Sequence, residues 1–267
     1  MRFAARTHPG RRGGENEDSM GWDEAQALWF VADGMGGHAS GDVASRIVKE
    51  TLIAKSSMPL TEALGSAHEA LLKAAAENPA YNNMGSTAVV VRMGQGHGEI
   101  AWVGDSRAYL WRAQTLTGVT RDHSFLELLR EQQPLSDTEL RSHPHRNLVT
   151  QTIGIGTPNP SVTDLPLRRG DWLLLCSDGL NDELEDGEIA DALKSHPEVD
   201  AAADALIAAA LAKGGKDNVS VLIVEYDGPD GVSSGPSLAQ TVMKWLPVAI
   251  GVLAACLVAV FLMKRYG

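Results

Sequence analysis

Two rhythms of hydrophobic and polar positions run through this chain. The stretch Ala27 to Ala32 is apolar, aromatic and branched throughout, the pattern of a strand buried on both faces, and Asp33 stands where that strand emerges. "DVASRIVKETLIAK" and "TEALGSAHEALLKAAAE" then carry helical spacing. They predict two helices on one face, with Asp42 and Thr61 as N-caps. "STAVVVRM", "GEIAWVGD" and "RAYLWR" follow with short breaks and predict an antiparallel meander joined by hairpins. "DWLLLCSDGL" is a second buried strand ending in an acid, helices are expected over about 186–196 and 200–213, and "NVSVLIVEY" is the closing strand. Between meander and second strand, "RDHSFLELLREQQPLSDTELRSHPHRNLV" mixes helical pieces with prolines and histidines and reads as a surface flap.

The pattern changes after Tyr226. "YDGPDGVSSGPSLAQ" has no periodicity and the Gly, Pro and Ser content of a linker. Leu246 to Met263 then carries no charge, with Lys244 before it and Lys264 and Arg265 after it. At the helical rise such a run reaches about 27 Å, close to the thickness of a bilayer's hydrocarbon core. A buried terminal helix would keep a polar face, which this run lacks. The expected organisation is a domain over 1–227, a linker over 228–244 and a transmembrane anchor over 245–264. The N-terminus has no apolar core of a secretory type, so the domain is expected on the cytoplasmic side of the inner membrane.

Composition narrows the classes. The 267 residues are 44% apolar and 21% charged, ordinary globular usage. A net charge of −11 with no basic stripe argues against nucleic acid as a partner. The two cysteines, Cys176 and Cys256, sit far apart in apolar runs, so neither a disulfide framework nor a cysteine-rich zinc site is available.

Acids recur where strands end or glycines turn: "NED" at Asn16 to Asp18, "ADG" at Asp33, "GDSR" at Asp105, "CSDG" at Asp178 and "KDN" at Asp217. Each alone has a plain alternative, a hairpin turn for Asp33-Gly34 or a solvated face for Glu17 and Asp18. Carboxylates that converge repel one another and rise in pKa unless cations lie between them. Hard divalent ions such as Mg²⁺ or Mn²⁺ prefer such oxygen donors. Gly34, Gly36 and Gly37 let the backbone approach an ion closely.

In order along the chain, "NEDS", "VADGMGGHASGDVAS", "MGSTAVV", "WVGDSRAYLWR", "TRDHS", "HPHRNLVTQTIG", "LLLCSDGL" and "KDNVSVLIV" resemble the metal-dependent protein phosphatases of type 2C, particularly their compact bacterial members. The resemblance covers about Phe3 to Asp227. It implies an α+β fold, a four-layer sandwich of two antiparallel β-sheets flanked by helices, with two Mn²⁺ or Mg²⁺ ions at one end. Asp33 would bridge both ions and the Gly34 carbonyl would hold one. Asp178 and Asp217 would complete the first ion's shell; Asp18, and Glu17 through water, would organise the second. Asp105 matches the position linked to a third, weaker ion, against the alternative that it orients Arg107 or caps a turn.

The resemblance further implies hydrolysis of phosphoserine and phosphothreonine on proteins by a water activated between the two ions, opposing a serine/threonine kinase. His38 is the candidate general acid, although Met35 occupies the place directly after the glycine where the family puts that histidine. His123 is the alternative, beside the simpler reading of a locally hydrogen-bonded flap residue. Gly13 stands at the family's phosphate-binding arginine position, leaving Arg11 and Arg12 as the neighbours able to reach a substrate phosphate. Two other readings remain: a phosphoprotein-binding module without turnover, and another two-metal phosphoesterase such as a nuclease, which the acidic surface disfavours.

Overall fold

Strand β3 (Leu28–Met35) shows how the layers arise. Leu28, Phe30 and Ala32 point into one apolar cluster while Trp29 and Val31 point into another, so a continuous apolar run serves two cores. The same alternation governs β10 (Trp172–Cys176): Trp172, Leu174 and Cys176 face one cluster and Leu173 and Leu175 the next. The structure, a computed structural model, describes residues 1–36, 40–132, 143–145 and 148–231.

One antiparallel sheet contains β1 (Arg2–His8), β7 (Arg107–Arg112), β8 (Thr115–Gly118), β10 and β11 (Val219–Glu225) in the order β1-β11-β10-β7-β8. The other contains β2 (Asp18–Asp23), β3, β5 (Ala88–Met93), β6 (His97–Val103) and β9 (Ser161–Pro166) in that order, with short β4 (Gly85–Ser86) pairing β3. Their facing sides share a cluster built from Trp29, Val31, Val89, Val91, Leu173, Leu175 and Leu222. Helices α1 (Gly41–Ala54) and α2 (Leu60–Glu77) cover the second sheet through Val48, Leu52, Leu64 and Leu71. Beyond α3 (Phe125–Gln132) and the short α4 (Asp178–Asn181), helices α5 (Asp186–Ser195) and α6 (Val199–Lys213) cover the first sheet through Ile189, Leu193, Ala203 and Leu206. The α+β sandwich expected from the sequence is the observed one.

Three local expectations are corrected. The meander is broken: β5 and β6 form a hairpin, but β7 pairs with β8 and β10 in the other sheet. The chain changes sheets at Gly104, whose φ of 101° and lack of room beside Thr87 admit no side chain. Neither Asp42 nor Thr61 is an N-cap; the caps are Ser40 and Pro59, and Asp42 lies in the first turn, where its charge suits the helix dipole. Strands β1, β2, β8 and β9 add to the expected set; their part-exposed patterns lack the long apolar run that signals a strand.

The compact unit runs from Met1 to Gly231. Its end is pinned: the Gly231 N–H donates to the Leu167 carbonyl at 2.6 Å and the Arg169 N–H to Asp230 Oδ1 at 2.8 Å. The expected linker from Val232 onward and the expected anchor over 245–264 lie outside the described residues. Among the described residues no helix is long and apolar enough to cross a membrane.

Tyr226 is the buried pivot of this closure. Its hydroxyl accepts the Gly96 N–H at 2.6 Å and lies 2.9 Å from the Pro229 carbonyl, to which it donates. Tyr226→Phe leaves that buried amide without a partner, and the expected loss is about 1 to 3 kcal/mol of folding free energy. Chemical denaturation measures it; a midpoint equal to the parent's refutes the assignment.

Candidate metal centre

The antiparallel register of β2 and β3 sets Asp18 opposite Asp33. On the other sheet, Cys176 pairs with both Arg107 and Val221, so the end of β10, the start of β7 and the start of β11 lie side by side. Asp178 opens α4 just beyond that point, Asp105 lies in the link before β7, and Asp217 lies just before β11. Both sheets therefore deliver acids to one end of the sandwich. Asp18 and Asp105 are buried, Asp33 and Asp178 half-buried, and Asp217 stands exposed at the rim.

Enclosure shifts these groups upward. Burial raises Asp33 well above the usual carboxylate range, and the charges of Asp18, Asp178 and Asp105 push the same way. Asp178 rises likewise, from burial first and then from Asp105, Asp182, Asp217 and Asp18. Burial takes Asp18 to about 6, against hydrogen bonds from Ser220 and Ser177 that pull it down. Asp105 reaches about 7, again mainly through burial, with Asp122 adding to the rise. Glu17 is raised by burial and by Asp42 and Asp217, with the Gly41 amide opposing. A solvated face for Glu17 and Asp18 does not match this enclosure.

Neighbouring residues hold the acids in place. The buried Ser177 hydroxyl donates to Asp18 Oδ2 at 2.7 Å and accepts the Ser220 N–H at 3.0 Å, joining the two sheets. Asn218 Oδ1 accepts the Glu17 N–H at 2.7 Å and its amide donates to the Pro9 carbonyl at 3.1 Å. Gly34 donates its N–H to the Glu17 carbonyl at 3.1 Å, and a Cβ there would strike the Gly41 and Glu17 carbonyls. Asp33 is fixed through its backbone, with its N–H on Thr87 Oγ1 at 3.3 Å and its carbonyl accepting the Ser86 hydroxyl at 3.0 Å. Ser177 and Asn218 adjoin Asp178 and Asp217 along the chain, and a polar side chain beside each acid is the sequence signal that marks them.

Does this end of the fold suit a divalent cation? Asp18 Oδ1 is buried with no hydrogen-bond partner among the described residues, a lone pair that a cation would satisfy. The donors are carboxylates and carbonyls, the set Mg²⁺ and Mn²⁺ prefer. Among the described residues no three such side chains close into a cage of their own. An ion here would take carbonyl and water oxygens as well, and Mg²⁺ usually keeps several waters. The residues fit divalent ions on these grounds.

The other candidates separate. His38 lies outside the described residues. Both ring nitrogens of His123 are engaged: Nδ1 accepts the Gly104 N–H at 3.2 Å and Nε2 lies 2.9 Å from Ser161 Oγ, which matches its reading as a locally bonded residue. Arg107 forms a two-pronged bond to Asp122 rather than to Asp105, so Asp105 is not spent on orienting that arginine. Arg11 and Arg12 are exposed on a loop tied down by the Arg11 N–H bonding the Gly215 carbonyl at 2.7 Å. Gly13 has open space around it but a φ of 74°, a conformation that favours glycine over arginine.

A carboxyl whose pKa rises on folding favours the fold while protonated and weakens it once ionised. The metal-free protein should therefore lose thermal stability as pH rises through about 6 for Asp18 and about 7 for Asp105. Added Mn²⁺, which binds the ionised form, should reverse the loss. Scanning calorimetry across that range, with and without the ion, measures both effects; a metal-free midpoint that climbs with pH contradicts the reading.

Comparison with known proteins gives this geometry a family. The family model described as Protein phosphatase 2C matches residues 7–213. The serine/threonine protein phosphatase PstP of Mycobacterium tuberculosis (strain CDC 1551 / Oshkosh) is 35% identical over 254 residues, which are 91% of this chain and 48% of the relative. The chain thus spans about half the length of that protein. The serine/threonine phosphatase stp of Listeria monocytogenes serovar 1/2a is 35% identical over 243 residues, 85% of this chain and 96% of the relative. The solved catalytic domain of a serine/threonine protein phosphatase PstP, in complex with two manganese ions, superposes with a TM-score of 0.76 at 33% identity, covering 84% of this chain and 97% of that one. The chain belongs to the protein phosphatase 2C family.

Proposed function

We propose that this chain is a metal-dependent serine/threonine protein phosphatase acting on phosphoserine and phosphothreonine in proteins, in opposition to a serine/threonine kinase. The observation that carries the reading is the convergence of Asp18, Asp33, Asp105 and Asp178 at one end of two sheets, each raised in pKa by burial first and then by neighbouring carboxylates. The two manganese ions of the PstP catalytic domain support the same metal class. In this reading Asp33 would serve both ions and the Gly34 carbonyl one of them, Asp178 and Asp217 would complete the first ion's shell, and Asp18, with Glu17 through water, would hold the second. Asp105 serves a third, weaker position, and the reading admits Mg²⁺ as well as Mn²⁺. Bound there, such ions supply a nucleophile at neutral pH and neutralise charge on the phosphoryl oxygens.

The chain's own residues do the rest. Ser177 and Asn218 fix Asp18 and the Glu17 backbone, so the geometry is set before substrate arrives. His123 is occupied at both ring nitrogens, which leaves His38 as the residue assigned to protonate the departing alkoxide. Arg11 and Arg12 are assigned to the substrate phosphate, as exposed guanidinium groups on the loop that leads into Glu17. Residues 245–264 are assigned to a membrane anchor that keeps the phosphatase domain at the cytoplasmic face of the inner membrane. The uncharged run 246–263 and its basic flanks support that assignment.

Three experiments test these assignments. On a phosphothreonine peptide with Mn²⁺, Asp33→Asn is expected to abolish turnover and weaken Mn²⁺ binding seen by calorimetry. Replacing Arg11 and Arg12 with Ala should raise KM, by about tenfold for one lost charge-assisted contact, with kcat nearly unchanged. Full activity and full Mn²⁺ affinity in Asp33→Asn would sink the two-ion reading, and an unaltered KM would remove the arginines from the phosphate. For the anchor, the full chain should stay with membranes through alkaline extraction, and its recovery in the soluble fraction rules the span out.

A further inference from the structure

Asp105 lies two residues before an arginine, and the structure shows what keeps the two apart. Arg107 opens β7, its Nε donating to Asp122 Oδ1 at 2.9 Å and its Nη2 to Asp122 Oδ2 at 2.7 Å. Its Nη1 donates to the Tyr109 hydroxyl at 3.1 Å, and that hydroxyl donates in turn to Asp186 Oδ1 at 3.3 Å. Every nitrogen of the guanidinium is thus committed away from Asp105. The segment carrying Asp122 is itself clasped to the Asp105 link: the His123 N–H donates to the Gly104 carbonyl at 2.9 Å, the Gly104 N–H returns to His123 Nδ1, and the His123 ring stacks on Trp102 with centroids 6.0 Å apart. Asp105 feels both charges, Asp122 disfavouring its ionised form and Arg107 favouring it.

A guanidinium and a carboxylate pair strongly when both are withdrawn from water, with two parallel hydrogen bonds. Without Asp122, the nearby buried carboxylate of Asp105 would be the alternative acceptor for Arg107, and a carboxylate so paired is a poor ligand. We propose that Asp122 is a positioning residue which, by occupying the Arg107 fork, holds that arginine off Asp105 and leaves the Asp105 carboxylate free for a divalent cation. The proposal rests on the reading of Asp105 as an ion-binding residue. Asp122 touches neither the ion nor the substrate; it acts through Arg107.

The test is Mn²⁺ titration of the full-length protein, with free Mn²⁺ counted by electron paramagnetic resonance. The variants are Asp105→Asn, Asp122→Asn, Arg107→Met and the double Asp122→Asn/Arg107→Met. Asp105→Asn is expected to weaken the loosest Mn²⁺ binding. Asp122→Asn should weaken the same step by about tenfold, the usual scale for groups that orient metal ligands. The double variant should recover most of that loss, because the competing cation is gone, whereas a merely structural pair predicts a double variant at least as impaired as the single. Should Asp122→Asn not fold, Arg107→Met decides: binding equal to or tighter than the parent's supports the proposal and weaker binding overturns it. Parent-like binding in Asp122→Asn beside a weakened Asp105→Asn defeats this inference alone. Parent-like binding in Asp105→Asn removes the Asp105 reading and the inference together.

Discussion

Mutual repulsion among enclosed carboxylates is the constraint that organises this molecule. Asp33 and Asp178 come within hydrogen-bonding reach of each other, and Asp18 and Asp105 press on the same space from two directions. Such a group is stable only with protons or cations between its members. The fold answers by making the approach rigid. Strand register sets Asp18 against Asp33, a serine hydroxyl bridges the sheets beside them, and glycines at 34 and 104 let the backbone pass where a side chain would collide.

That rigidity depends on cores on both sides of each sheet. Because β3 and β10 send alternate side chains into different clusters, neither sheet can slide by one residue without driving large side chains into the wrong layer. The acids at the strand ends inherit this fixed register. Precision at the site is therefore a property of Phe30, Val31, Leu174 and Leu175 as much as of the acids themselves.

The sequence displayed the parts of this architecture that are buried on both faces. Leu28 to Ala32, Val89 to Val91 and "WLLLC" announce strands because each of these residues is buried among apolar neighbours, and the acids after the first and last mark the site. The edge strands β8 and β9 stayed hidden because one side of each is wet. So did the change of sheet at Gly104, since a hairpin glycine and a crossing glycine look alike in one dimension. At the site, the motifs disclosed the acids but not their holders. Ser177 and Asn218 act across about 159 and 201 residues of chain respectively, beyond the range of local pattern. Helix starts misled for a related reason: Ser40 and Pro59 open α1 and α2 without a side-chain cap bond, so capping chemistry gave no signal there.

The first sheet places β11 between β1 and β10, with Arg2 opposite Glu225 and His8 opposite Val219. Asn218, at the head of that strand, reaches both Pro9 and the Glu17 backbone. On a ribosome, then, the opening strand must wait without a sheet partner until almost the entire domain has been synthesised. A product stopped short of Asn218 would lack the middle of a sheet and the side chain that closes the acidic end, leaving apolar strand edges open to other chains. Synthesis of this domain is an all-or-nothing event, and an interrupted copy is material for proteolysis rather than a weaker enzyme.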